Sequence, residues 1–218
     1  MPLIPVKTPK FLKRMFPKYI WDIPSKKKVL YLTFDDGPTP VVTQWVLNTL
    51  NQYQAKATFF CIGNNIDKHP EIFKSVIANG HSIGNHTYNH LKGWKTKTNW
   101  YISNTIKAQK TIDLNSLKNN TTQVTNQLFR PPYGKIKPLQ GKKLRALGFN
   151  IVMWDVLSFD WDKNIKKQQC LNNVIKKAKT GSIIVFHDSE KAKKNMMFAL
   201  PKVLEHFSKK GYSFKALN

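Results

Sequence analysis

The sequence predicts an α/β fold, a single-domain distorted (β/α)7-type barrel with mostly parallel strands. Three observations carry that prediction. Apolar, strand-like runs alternate with helix-patterned segments along most of the chain. Most of the strands are apolar runs, as expected when helices cover a mostly parallel sheet. The conspicuous polar residues Asp35, Asp36, His86, Arg130, Asp155, Asp160 and His187 fall at or just past the C-terminal ends of those runs. In parallel α/β barrels that end carries the site.

Residues 1–27 form a basic, aromatic segment ahead of the domain proper, residues 28–218. Phe11, Leu12, Met15 and Phe16 have helical spacing before Pro17 breaks the run, and Lys10, Lys13, Arg14 and Lys18 are interleaved with them. The segment reads either as an arm packed on the domain or as a foothold on an anionic membrane surface. Val29-Leu30-Tyr31-Leu32 then starts the first strand, which closes through Thr33-Phe34-Asp35-Asp36 into the Gly37-Pro38 turn.

Val42, Trp45, Val46, Leu50 and Tyr53 mark an amphipathic helix, and Ala57–Cys61 with Ile62 reads as a second strand ending at Gly63. Pro70 opens a helix with Ile72, Phe73, Val76 and Ile77 on one face, which Asn79-Gly80 stops. His81–Asn85 is a short third strand, a polar helix follows around Ile102–Ile112, and residues 118–126 read as a loop. The fourth strand, Gln127–Arg130, is cut off by Pro131-Pro132; Pro138–Leu147 is helical and Asn150–Trp154 is the fifth strand. Leu171, Val174, Ile175 and Ala178 mark a helix, and Ser182–Phe186 is a sixth, fully apolar strand. The last helix carries Leu200, Val203, Leu204 and Phe207, with Pro201 expected in its first turn, before a seventh strand at Tyr212–Phe214.

Lys+Arg 36 against Asp+Glu 12 gives a formal charge of +24, which favours polyanionic partners. The lysines are scattered over most of the helices, so specific nucleic-acid binding is not expected. Cys61 and Cys170 form neither a C-x-x-C nor a metal-spaced cluster and read as free thiols. The N-terminus has no apolar stretch of about 7–15 residues, and nowhere is there an apolar run of about 18. The expectation is therefore a cytoplasmic or peripheral-membrane chain, with an upstream export segment left open.

The chemistry begins with the paired carboxylates. Two adjacent acids at the end of a buried strand are costly to ionise side by side unless a cation sits between them. At a strand-to-turn junction both can converge on one cavity. His86-Thr87-Tyr88-Asn89-His90 places two imidazoles four residues apart, on one face if the segment makes a helical turn. Two imidazoles and one carboxylate make a divalent-metal set that leaves positions open for water and substrate. The second aspartate is then free to act as a base.

Thr33-Phe34-Asp35-Asp36-Gly37, His86-Thr87-x-x-His90, Arg130-Pro131-Pro132-Tyr133-Gly134, Asp160-Trp161 and Val185-Phe186-His187 together resemble the five ordered motifs of the NodB-homology polysaccharide deacetylases, carbohydrate esterase family 4. The resemblance spans roughly residues 28–215. It implies that Asp36, His86 and His90 bind a divalent metal, most often Zn2+, with Co2+ or Ni2+ as substitutes. Asp35 would be the catalytic base and His187 the acid. Arg130 would hold Asp35, Asp160 would orient His187 and raise its pKa, and the Tyr133 backbone N–H would help stabilise the oxyanion. Trp161 and Val185 would line the acetyl pocket, with Pro132 also on the substrate side. Two positions depart from the family pattern: Leu157 stands where an acidic or small polar residue is common, and Val185 replaces a leucine.

The function expected is metal-dependent removal of N-acetyl groups from GlcNAc-containing polysaccharide: peptidoglycan, chitin-like oligomers or poly-N-acetylglucosamine. An alternative is deformylation or deacetylation of a lipid-linked or small sugar at the cytoplasmic membrane. A third, of another class, is a non-enzymatic polyanion-binding protein, which would show a steep salt dependence of binding.

Overall fold

The computed structural model describes residues 5–117 and 127–218. The run of residues 29–35, apolar but for Thr33 and Asp35, becomes β1 (Val29–Asp35), and every other part of the sheet is placed relative to it. The remaining strands are β2 (Ala57–Cys61), β3 (Ser82–Asn85), β4 (Leu128–Phe129), β5 (Asn150–Ile151), β6 (Val156–Leu157), β7 (Ile183–His187) and β8 (Ser213–Phe214). Seven of them run in the order β5-β4-β3-β2-β1-β7-β6, each parallel to its neighbour, and β8 pairs with the start of β1. The sheet curls into a half-barrel, consistent with the distorted (β/α)7-type barrel expected from the sequence.

Strand alternation sorts the side chains of β1 and β7. Leu32, Phe34, Ile184 and Phe186 point outward into the main core, where they meet α2 (Val42–Gln52), α4 (Pro70–Ala78), α7 (Lys167–Ile175) and α8 (Lys193–Lys209). A second cluster joins Tyr101 of α5 (Thr98–Leu117) and Leu144 of α6 (Pro138–Ala146) to Trp21, Phe129 and Phe149. A third, with Phe60, Leu128, Val152, Ile183 and Leu217, fills the interior beneath the mouth. Both thiols, Cys61 and Cys170, are buried and free. Among the described residues no helix is long and apolar enough to cross a membrane.

The N-terminal segment, including α1 (Lys10–Met15), runs along the two edge strands. Ile20 N–H donates to the Ile151 carbonyl at 2.8 Å and the Ile20 carbonyl accepts from Met153 N–H at 2.7 Å; further on, Leu157 N–H donates to the Val6 carbonyl at 2.8 Å. Asp155, fully buried, receives Lys7 at 2.8 Å, Lys13 at 2.6 Å and the Ser182 hydroxyl at 2.5 Å. Leu12, Tyr19 and Trp21 pack inward while Phe11 and Met15 face out.

Several elements differ from the sequence expectation. The second strand ends at Cys61, and Gly63 opens a short helix, α3 (Gly63–Lys68), that has too few apolar positions to show a period. The fifth strand stops at Ile151, because the Val152 and Met153 carbonyls turn to the Arg130 guanidinium; the chain then re-enters the sheet as β6, giving eight strands rather than seven. α8 starts at Lys193, so Pro201 lies in its interior and not its first turn. Burial of Met196, Ala199, Leu200, Val203, Leu204 and Phe207 on one face outweighs the lost backbone bond. The loop expected at 118–126 lies outside the described residues.

Candidate active site

The register of β1 against β7 pairs Asp35 with His187, so the two strands end side by side at the same mouth. Asp36 should point away from Asp35 by simple alternation. Its φ of 83° turns the chain at this residue, and its carboxylate comes back to the mouth beside the histidines. Gly37 follows because nothing larger fits: a Cβ there would lie 2.0 Å from Asp188 Oδ2. Fully buried Asp188 accepts from Gly37 N–H at 3.0 Å and from the Thr43 hydroxyl at 2.6 Å, while its own N–H donates to the Asp35 carbonyl at 3.1 Å. Burial pushes the Asp188 carboxyl up to about 7; the Thr43 bond opposes this and the Asp36 charge adds to it.

The His86–His90 stretch is not the helical turn the spacing suggested. Thr87 and His90 have φ of 63° and 54°, conformations fixed from outside the segment. Asn85 Oδ1 accepts from Thr87 N–H at 2.9 Å, and Asn104 Oδ1 of α5 accepts from the N–H groups of Tyr88 and Asn89 at 2.9 and 3.1 Å. The two rings are nevertheless adjacent, with centroids 5.0 Å apart. Among the described residues, five of the seven non-glycine residues with positive φ, Asp36, Thr87, His90, Tyr133 and Phe159, surround this mouth. Backbone held in sparsely populated regions is concentrated where side chains must be aimed.

Ligand atoms of Asp36, His86 and His90 lie within 4.8 Å of one another. Asp36 Oδ1 is 3.2 Å from His90 Nε2 and 3.7 Å from His86 Nε2, and it is buried without a hydrogen-bond partner among the described residues. Burial would raise the Asp36 pKa, but the His90 contact and the His187 charge hold it well below the usual carboxylate value. His86 Nδ1 is 2.7 Å from the Arg130 carbonyl, which can only accept, so the proton sits on Nδ1 and the Nε2 lone pair faces Asp36. Burial lowers the His86 pKa to about 4, which keeps the ring neutral. An orphaned carboxylate oxygen and a neutral imidazole turned toward it fit a divalent cation.

Arg130 leaves β4 and lies fully buried under the mouth, its guanidinium 4.1 Å from the Phe60 ring centroid. It donates to Asp35 Oδ1 at 2.7 Å, Thr33 Oγ1 at 2.6 Å, the Met153 carbonyl at 2.8 Å and the Val152 carbonyl at 3.3 Å. All three guanidinium nitrogens are thereby engaged, which fixes where Asp35 stands. On the other side of the mouth, Asp160 grips His187 twice, accepting from its backbone N–H at 2.7 Å and meeting Nδ1 at 2.8 Å. Burial would lower the His187 pKa; the charge and hydrogen bond of Asp160, with Asp36 and Asp35 adding, raise it to about 9. Trp161 packs edge-on against His187 at 4.7 Å between ring centroids. Tyr133, at φ 59°, sets its ring 4.6 Å from His90. Val185 is buried two residues before His187 on β7, and Pro132 is buried in the 3-10 turn Pro132–Gly134.

The sequence-predicted residues Asp35, Asp36, His86, His90, Arg130, Tyr133, Asp160, Trp161 and His187 are thus brought to one mouth. Asp155 is not among them; it lies with Lys7 and Lys13 at the N-terminal segment. Sequence reasoning placed Thr33 in the first motif without giving it a role, and it missed Asn104 and Asp188. Of the last two only Asp188 left a signal, an acid directly after a buried strand and next to a singled-out histidine.

The family model for polysaccharide deacetylases matches residues 22–152. A peptidoglycan-N-acetylglucosamine deacetylase of Bacillus cereus is 36% identical over 198 residues, 89% of this chain and 88% of that protein. The peptidoglycan-N-acetylmuramic acid deacetylase PdaA of Bacillus subtilis is 30% identical, over 89% of this chain and 72% of that one. The crystal structure of the Bc1960 peptidoglycan N-acetylglucosamine deacetylase superposes with a TM-score of 0.85 at 32% identity, covering 96% of this chain and 95% of that one. Sequence, fold and the arrangement at the mouth agree, and the chain belongs to the polysaccharide deacetylase family, the NodB-homology carbohydrate esterase family 4.

Proposed function

We propose that the protein is a metal-dependent hydrolase that removes N-acetyl groups from the GlcNAc residues of peptidoglycan or a related N-acetylated glycan. The observation that carries this reading is the convergence of three groups at one mouth: the Asp36–His86–His90 set, the Arg130-held Asp35, and the Asp160-held His187. Asp36, His86 and His90 would hold the cation, most often Zn2+, with Co2+ or Ni2+ able to replace it. As a Lewis acid it would polarise the amide carbonyl and ease deprotonation of the attacking water.

The chain's own residues do the rest. Asp35, positioned by Arg130, takes a proton from the water as its oxygen bonds to the carbonyl carbon. Negative charge develops on the carbonyl oxygen, and the Tyr133 backbone N–H donates to it. An amine leaves poorly unless protonated. His187 bonds to Asp160 through Nδ1, so its Nε2 proton is the one delivered as the C–N bond breaks. Acetic acid and the free sugar amine result and ionise in solvent to acetate and an ammonium, while the proton on Asp35 passes through solvent to recharge His187. Trp161 and Val185, with Pro132, would enclose the acetyl methyl group.

We read residues 5–27 as part of the same machine, since Ile20 secures the Met153 segment whose carbonyl holds Arg130. The membrane-surface alternative has less support, because Leu12, Tyr19 and Trp21 pack into the domain. The test is acetate release from N-acetylglucosamine oligomers and peptidoglycan glycan strands by chelator-treated protein, before and after adding zinc, cobalt or nickel. Metal-restored release is expected. Release that ignores the chelator, or none from a metal-loaded protein, contradicts the reading.

A further inference from the structure

Next to His90 stands a group of side chains that the proposed reaction does not use. The Tyr133 ring is 56% exposed, and the Lys92 ammonium lies 5.6 Å from its centroid. Trp94, also 56% exposed, carries the Lys135 ammonium 4.0 Å from its ring centroid, and its Nε1–H donates to the Ile136 carbonyl at 3.1 Å. A lone exposed aromatic residue needs no explanation. Two of them, each beside a lysine, one against His90 and the other braced on the chain just after Tyr133, do.

The backbone beneath them is braced. The 3-10 turn Gly93–Lys95 packs against the chain just after Pro132–Gly134 so closely that a Cβ on Gly93 would lie 2.3 Å from the Lys135 carbonyl. The side chain of Gln140, fully buried, donates to the Gly93 and Thr96 carbonyls at 3.0 and 3.2 Å and accepts from Lys137 N–H at 2.8 Å. The aromatic residues are therefore presented on fixed loops, so a ligand would meet a preorganised surface. Along the sequence this stretch is one-signed, with 13 Lys and Arg residues between Glu71 and Asp155 against a single acid, Asp113, while Asp36 at the mouth is the negative charge that reaches Tyr133.

We propose that Trp94, Tyr133, Lys92 and Lys135 form a subsite for a carboxylate-bearing sugar residue adjoining the sugar that loses its acetyl group. The rings take the apolar C–H face of the sugar, and the two ammonium groups take its carboxylate. A muramic-type residue with a free lactyl carboxylate has both features; a plain N-acetylglucosamine residue has only the first. The proposal rests on the deacetylase reading and narrows it to acidic glycans.

The experiment uses two tetrasaccharides of equal length, one alternating N-acetylglucosamine with peptide-free N-acetylmuramic acid and one of N-acetylglucosamine alone. Binding to zinc-loaded Asp35→Asn protein is measured by calorimetry, and acetate release is measured with the native protein. The acidic tetramer should bind about tenfold more tightly at low salt, and Lys92→Met with Lys135→Met should cut that preference to about twofold. Trp94→Ala should weaken both tetramers by about five- to tenfold. Equal affinity for the two, or a preference that survives the paired methionine substitutions, overturns the subsite. Absence of acetate release from both by the native protein overturns the deacetylase reading instead, while the binding comparison still decides the subsite.

Discussion

Two buried carboxylates in this molecule are each held by cations, and they are finished differently. Asp155 sits at the N-terminal segment with both oxygens occupied, by Lys13 on one and by Lys7 and Ser182 on the other. Asp35 sits at the mouth with Oδ1 given to Arg130, and among the described residues no side chain or backbone group bonds its Oδ2. Saturating a buried acid turns it into a fastener. Leaving one oxygen open, while the other is clamped by an Arg that can move nowhere, leaves an acceptor aimed and waiting.

The sharpest way to break that comparison is to substitute each acid in turn. Asp35→Asn should cut acetate release by about 10³-fold or more while thermal unfolding stays within a few degrees of native. Retained turnover would show that the open oxygen is not the base. Asp155→Ala leaves Lys13 only Asp22, Lys7 only the Lys177 carbonyl and the Ser182 hydroxyl without its acceptor, and should cost about 2 kcal/mol in denaturant unfolding. Its per-molecule activity, measured well below the unfolding midpoint, should fall far less than that of Asp35→Asn.

Asp188→Ala should come next, at about 2 kcal/mol, because Gly37 N–H and the Thr43 hydroxyl would be left buried without their acceptor. Since Asp188 props the turn that aims Asp36, zinc affinity should weaken with stability. Unchanged affinity would limit Asp188 to a role in folding.

The two regions should also fail at opposite ends of the pH scale. Burial pushes the Asp155 pKa up, but Lys13, Lys7 and Ser182 hold it below 3.8, so its stabilisation is present above that pH and is lost as pH falls through the folded value. His187 runs the other way. Raised from 6.5 to about 9, it contributes stability in full below 6.5 and loses it as pH rises through 9. As the acid, its protonated form also sets an alkaline limb of turnover, held up chiefly by Asp160. Asp160→Asn should move that limb to lower pH, the smallest of these effects, readable in a pH–rate profile. A limb that stays in place would remove Asp160 as the cause.

How much of this was legible in the sequence follows from how local each feature is. The Asp35-Asp36-Gly37 turn could be read because a strand, its two acids and the breaking Gly-Pro pair are contiguous. Arg130 and His187 could be read from short motifs, and the strands β1 and β7 from their long apolar runs, whereas the register that sets Asp35 beside His187 came only with the structure. The conformation of His86–His90 could not, since the bonds that fix Thr87, Tyr88 and Asn89 come partly from Asn104 on a helix 14 residues beyond His90. β6 is two residues long and has no period to detect. Pro201 misled because local propensity argues for a helix start there, while burial of a long apolar face carries α8 straight through it. The clamp on Asp155 was invisible for the same reason as Asn104: its lysines stand 142 and 148 residues away in sequence.

The account stands or falls on the division of labour between the adjacent acids of the mouth. The most direct test is to measure bound zinc by atomic emission and acetate release on the same preparations of native, Asp35→Asn and Asp36→Asn protein. The account predicts one zinc per chain in the native and Asp35→Asn proteins, little in Asp36→Asn, and acetate release only from the native protein. Full zinc and full release in Asp36→Asn, or zinc lost from Asp35→Asn, would contradict it.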